Sequence, residues 1–158
     1  MNIYIVSLTG WETYVPVYFE ADCSPEEFKQ KVQSAINKVM PSVFETRSDW
    51  TIGGNDIYEP VLVELQKDKT IKKICSNGEF CIPEHAYDSR RTYCEKPDIL
   101  SEPLWEKIIK HNKKCNAKRR REFLKEEKKK GFVWKDDTRY KINKLANGKT
   151  KLVLAKFC

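Results

Sequence analysis

Hydrophobic and polar positions alternate at the start of the chain. Ile3, Ile5 and Ser7 fall on one face of Asn2–Leu8, and Tyr4, Val6 and Leu8 on the other, which predicts a strand partly covered on both sides. After a turn at 9–12, residues 13–20 (TYVPVYFE) predict a second strand. Its Pro16 donates no ladder hydrogen bond, so an edge or a bulge is implied. The period then lengthens. Ser24 is placed as an N-cap, Pro25 as the first helical residue and Glu27 as the partner in a capping box. Phe28, Val32, Ala35, Ile36 and Val39 follow at helical spacing until Pro41, which is expected to stop the run.

Trp50 and Ile52 suggest a short strand, and Gly53 to Asp56 a loop. The β-branched VLVEL inside 57–65 predicts a buried strand. A turn at 67–69, a strand at 70–75 and a tight hairpin at Asn77-Gly78 returning through 79–82 complete a meander. Residues 83–100 lose periodicity and turn polar, and are read as a connector.

Residues 101–130 (SEPLWEKIIKHNKKCNAKRRREFLKEEKKK) predict one long helix, opened by Ser101 and Pro103 and closed by Gly131. At about 1.5 Å per residue it would span about 43 Å, so part of it is expected to project. Leu104, Trp105, Ile108, Ile109, Asn112, Cys115, Asn116, Arg119 and Phe123 share one arc, apolar first and polar later. A break near Asn116 is the alternative. Phe132, Val133 and Trp134 form an apolar clamp, and 138–145 with 150–157 flank the hairpin dipeptide Asn147-Gly148. The whole predicts an α+β fold. An antiparallel sheet packs on one amphipathic helix (1–82), followed by the connector, the long helix and a C-terminal hairpin (131–158) that returns to the core as part of a single domain.

Charge sharpens this picture. The net charge of the 158-residue chain is +7, and residues 101–130 alone hold twelve Lys or Arg against five Glu. The other 128 residues carry 18 of each sign, which reads as an electrically even body with one cationic helix. No run is apolar enough to cross a bilayer and no secretory pattern opens the chain, so a cytoplasmic protein with no membrane partner is expected. In that compartment the six cysteines are expected to be thiols.

Candidate chemistry centres on the helix. Lys113, Lys114, Lys118, Arg119, Arg120, Arg121 and Lys125 can displace counterions from phosphates; neutralising about four would give a salt slope of about −3.6 on duplex DNA. The plain alternative is a solvated helix that keeps the protein soluble. Arg90, Arg91 and Tyr93 are candidates for a second contact by stacking on an unpaired base, against the plain reading of a surface loop. Trp11, Trp50, Trp105 and Trp134 are assigned mainly to core.

Cys75, Cys81, Cys94, His111 and Cys115 lack paired CxxC spacing, although His111 and Cys115 share a helical face, so a small zinc-stabilised domain stands only as a minor reading. Gly148-Lys149-Thr150 lacks the first glycine and the helix of a phosphate-binding loop. His85 with Glu84 and Asp88, or Asp98 with Glu126 and Glu127, make thin catalytic sets.

The expectation is therefore a non-enzymatic protein, without cofactor, metal or small-molecule substrate. Its basic helix engages DNA, RNA or a ribonucleoprotein. The rival is a protein-directed inhibitor, a phage-type anti-defence antagonist that occupies the nucleic-acid channel or acidic surface of a processing enzyme.

Overall fold

A computed structural model describes residues 1–8, 17–75, 85–89 and 100–155. The expected turn at 9–12, Pro16, the hairpin return through 79–82 and the contact residues Arg90, Arg91 and Tyr93 lie outside the described residues. The class is α+β, as the pattern predicts, and the chain divides into two compact units, Met1–Asn112 and Lys113–Cys158.

In the first unit, β1 (Asn2–Leu8) pairs antiparallel with β2 (Val17–Ala21) and parallel with β4 (His85–Ser89), while β3 (Ile71–Cys75) runs antiparallel to β2. The order β3-β2-β1-β4 puts β1 inside the sheet, and Tyr4, Ile5 and Val6 are all buried, so both of its faces are covered there. β2 is also interior rather than an edge, and its irregularity falls at Tyr18/Phe19 opposite β3. The strand β4 corrects the reading of 83–100 as connector throughout. Five residues, HAYDS, are too few to show a period, and their strand state comes from backbone pairing with β1.

Two helices complete this core, and each overrides a local signal. α1 (Pro25–Thr46) begins as expected, with Ser24 Oγ accepting from Glu27 N at 3.2 Å and Glu27 Oε2 accepting from Ser24 N at 2.8 Å. Pro41 does not stop it. A mid-helix proline costs about 3 kcal/mol. Continuing the helix buries Met40 and Val43, each worth about 1.5–3 kcal/mol, and the carbonyl of exposed Asn37 that Pro41 leaves unbonded can meet water.

α2 (Gly54–Leu65) replaces the expected loop and strand. Strand alternation would bury Val61, Val63 and Leu65 together, yet Val63 is 60% exposed while Ile57, Tyr58, Val61, Leu62 and Leu65 are buried at helical spacing. Asp56 opens this helix by accepting from Gly53 N at 2.7 Å, and it also pairs with Arg47.

α3 (Glu102–Lys129) starts within this unit, its first turn closing from Trp105 N to Ser101 O at 2.9 Å. Ile108 is buried, and Leu104 and Trp105 pack on the same core, as the apolar half of the arc predicts. Asn112 then bonds Ile52 in both directions, accepting from its N–H at 2.7 Å and donating to its carbonyl at 3.0 Å. That pair stands in for a strand neighbour, so the expected short strand at Trp50 and Ile52 does not form; Ile52 is buried and Trp50 is 56% exposed.

The core is built around Tyr4 and Phe28, whose rings stack at 4.0 Å and 4°. Lys31 of α1 pairs with Asp68 in the turn before β3, and with Thr70 it holds the Asp68 carboxyl at about 2.

In the second unit α3 runs on without a break at Asn116 and ends at Gly131, whose φ of +84° supplies the left-handed cap. A three-stranded antiparallel sheet follows in the order β5 (Phe132–Lys135), β6 (Thr138–Lys144) and β7 (Thr150–Leu154). The expected clamp is thus a strand. It turns into β6 through Asp136 and Asp137, both left-handed at φ 46° and 57°, as a two-residue hairpin that matches strand twist requires. The expected turn at Asn147-Gly148 is present in three-residue form: Gly148 N donates to Leu145 O at 3.0 Å, and Gly148 takes φ +77°.

Two substitutions rank the forces in the first unit. Phe28→Ala should lower its stability by about 3–5 kcal/mol, read as an earlier denaturant midpoint. Asp68→Asn should cost only about 1 kcal/mol at pH 7, since the pair is partly solvent-screened. Because the folded carboxyl titrates lower than the unfolded one, that difference is full above about pH 4 and should fade as pH falls toward 2.

Candidate nucleic-acid interface

The unit boundary revises the charge map. Lys113–Cys158 holds 17 basic and 5 acidic residues, and Met1–Asn112 holds 13 basic and 18 acidic. The even body expected from sequence is a cancellation, 11 basic and 16 acidic residues in 1–100 against 7 and 2 in 131–158, and with the helix divided at the boundary a unit of net −5 precedes one of +12. The cause is the C-terminal sheet, which shares the sign of the helix, whereas the first turns of α3 are neutral.

Lys113, Lys114, Lys118, Arg119, Arg120, Arg121 and Lys125 are all exposed on α3. They do not point equally to every side. At about 100° per residue an unbroken helix gathers Lys114, Lys118, Arg121 and Lys125 within about 60° of arc, over about 16 Å of axis. Lys128 and Lys129 extend the stripe, and no Glu interrupts it. Lys113, Arg119 and Arg120 stand off the stripe. Arg121 spends one donor locally, Nε to Ala117 O at 3.2 Å, and Arg120 reaches Asp137 at 3.4 Å with both side chains solvent-exposed.

What sets the phase of this stripe is Glu127, on the other side of the helix. It is the buried charged residue of the unit at 5% exposure. Arg139 grips it with both arms, Nε to Oε2 at 2.6 Å and an amino nitrogen to Oε1 at 3.1 Å, and Trp134 Nε1 donates to Oε2 at 3.1 Å. The guanidinium lies 3.6 Å over the Phe132 ring, and Phe123 meets Trp134 with ring centres 5.7 Å apart. The Arg139 bonds hold the Glu127 carboxyl below the usual carboxylate range, against its desolvation. With Glu127 and Phe123 turned onto the sheet, Lys114, Lys118, Arg121 and Lys125 are turned away from it.

Other sequence candidates fare differently. The Glu126 carboxylate is paired with Lys129, at 2.6 Å, and that of Glu127 with Arg139. His111 Nε2 meets the carbonyls of Arg47 and Trp50 at 2.8 and 2.9 Å; both accept, so that nitrogen carries the proton and cannot ligate zinc. Cys115 is buried, no group of three metal-ligating side chains occurs among the described residues, and Cys81, Cys94 and Asp98 lie outside them. Trp105 packs on the core and Trp134 serves Glu127, while Trp11 lies outside the described residues.

A cleft of about 510 Å3 between α1 and α2 has Val39, Val43, Pro60 and Val63 in its lining. In its lining Lys38 and Lys67 share the Glu64 carboxylate, and Arg47 pairs with Asp56. No helix among the described residues is long and apolar enough to cross a membrane.

No protein-family model matches the chain, and no curated protein and no solved structure is significantly similar to it.

Replacing Glu127 tests the anchor. Glu127→Ala strands Arg139 beneath the sheet and should speed amide exchange across β5 and β6 more than the paired replacement Glu127→Leu/Arg139→Met. In the wild type the same amides should lose protection in acid. The contribution of Glu127 is complete above the unfolded carboxylate pKa and disappears as pH drops through the lower folded value.

Proposed function

We propose that the protein is a non-enzymatic nucleic-acid binder, acting on naked DNA or RNA or within a ribonucleoprotein, with the outward stripe of α3 as its grip. The observation that carries this reading is the segregation of charge: +12 in a unit of 46 residues whose single buried carboxylate is already matched by Arg139. A helix kept charged only for solubility is served by mixed signs. Here Lys114, Lys118, Arg121 and Lys125 repeat at i, i+4, i+7 and i+11 with no acid among them, a spacing that sets cations in one row for a line of phosphates. Arg119 and Arg120, about 130° around the helix from the row, add to the field that steers encounter.

The full chain should retain labelled DNA or RNA in filter binding at about 50 mM salt, with a log–log salt slope near −3.6 if four phosphates are neutralised. Arg119→Glu/Arg120→Glu/Arg121→Glu should abolish retention. Unaltered affinity in that variant would sink the reading. A stoichiometric protein that co-purifies through nuclease treatment, with no nucleic acid retained, would replace it with the inhibitor of a nucleic-acid-processing enzyme.

A further inference from the structure

The β6–β7 hairpin outruns its neighbour. β5 pairs with β6 as far as Phe132↔Lys141, and Ile142 N still donates to Gly131 O at 2.8 Å, whereas Asn143 and Lys144 continue opposite Lys151 and Thr150 alone and Leu145 N donates to Lys149 O at 2.8 Å. The end of the sheet is therefore a free two-stranded ribbon, and residues 143–151 are exposed throughout. Its composition is one-sided. Residues 138–155 contain five basic side chains and no carboxylate.

The register distributes these groups in a useful way. Asn143 stands opposite Lys151, and Lys144 opposite Thr150, so each pair shares a face and the two pairs lie on opposite faces. Each face of the tip thus offers one cation for a phosphate and one neutral side chain able to bond a base edge. Lys149 adds a further cation at the turn, which Asn147 braces by accepting from Lys149 N at 3.1 Å.

We propose that this ribbon is a second nucleic-acid-contacting element and that its target is the major groove of duplex DNA. The inference rests on the nucleic-acid reading above and narrows it. A B-form major groove, about 12 Å wide and about 8.5 Å deep, admits a two-stranded ribbon. The three residues past Ile142, Asn143 to Leu145, reach about 10 Å at about 3.4 Å each, enough to touch its floor. The A-form major groove of duplex RNA is too narrow for side chains to read. The tip also carries no aromatic ring, which a platform for single strands requires.

The test is fluorescence anisotropy on the full chain, titrating a DNA duplex, an RNA duplex of the same sequence and a single strand between about 50 and 200 mM salt. The DNA duplex should bind tightest, with a slope near −6.3 if three ribbon cations add to four on the helix, and Lys144→Ala/Lys149→Ala/Lys151→Ala should weaken it and flatten that slope by about 2.7. Asn143→Ala, which keeps every charge and cannot disturb the turn bond, should weaken DNA binding several-fold at unchanged slope. If both variants bind like the wild type while the triple arginine reversal still abolishes binding, the ribbon is excluded and the helix reading survives. Equal affinity for the RNA duplex, with the same dependence on the three lysines, overturns the major-groove assignment. A wild-type chain that binds none of the three probes removes both readings.

Discussion

A single buried carboxylate organises the C-terminal unit. Glu127 receives three donors from Arg139 and Trp134, and no hydrophobic cluster of comparable depth exists there among the described residues, since Cys115 is the unit's buried apolar side chain. A unit carrying +12 repels itself, and each of its few acids matters. Glu126 and Asp137 are spent on Lys129 and Arg120 at the surface, where ion pairs contribute little. Glu127 is placed where solvent does not weaken its attraction for Arg139. The same bond decides which way the helix faces, because a residue turned inward at 127 turns the positions about half a turn away outward. The anchor of the fold and the direction of the cationic stripe are one geometric fact.

The N-terminal unit rests on a different principle, in which the period of burial overrules local breakers. Pro41 and Pro60 both lie inside helices, and Gly53 caps a helix whose first residue is Gly54 rather than opening a loop. In each case the deciding quantity is the apolar surface that only a helix can bury at once: Ile36, Met40 and Val43 in α1, and Ile57, Val61 and Leu65 in α2. The proline penalty is real but equals the burial of one or two such side chains. Asn112 and His111 then hold residues 47–52 to α3 through carbonyl and amide bonds, so this irregular segment is satisfied without joining a sheet.

These cases show what the sequence makes legible. Capping at Ser24, the long helix and the Asn147-Gly148 turn are local signals with local causes, and all three could be read directly. Val61, Val63 and Leu65 misled because β-branched letters outweighed a period that only Val63's exposure reveals. β4 was hidden, since a parallel partner far along the chain leaves no mark on five residues. The cationic helix was visible from charge alone, but the face that gathers its cations was not. The row through Lys114, Lys118, Arg121 and Lys125 depends on the helix staying whole past Asn116 and on Glu127 turning inward. The lysines of the hairpin were concealed by arithmetic, because the acidic first unit cancelled them in the sum.

That cancellation bears on how the chain would meet a polyanion. Screening confines the influence of exposed charges to about 8 Å at physiological ionic strength, so the net charge of the whole chain acts at a distance only as salt is lowered. Affinity comes from counterions released where cations touch phosphates, a local count that a −5 elsewhere in the chain does not reduce. The formal +7 therefore understates what the C-terminal unit can exert at contact. The acidic first unit acts at a different stage: as salt is lowered and the screening length grows, its repulsion of a nucleic acid reaches further and opposes the steering that the basic unit provides. If the proposed contact is made, separating the two signs between units would leave it strongly cationic while moderating long-range, indiscriminate attraction.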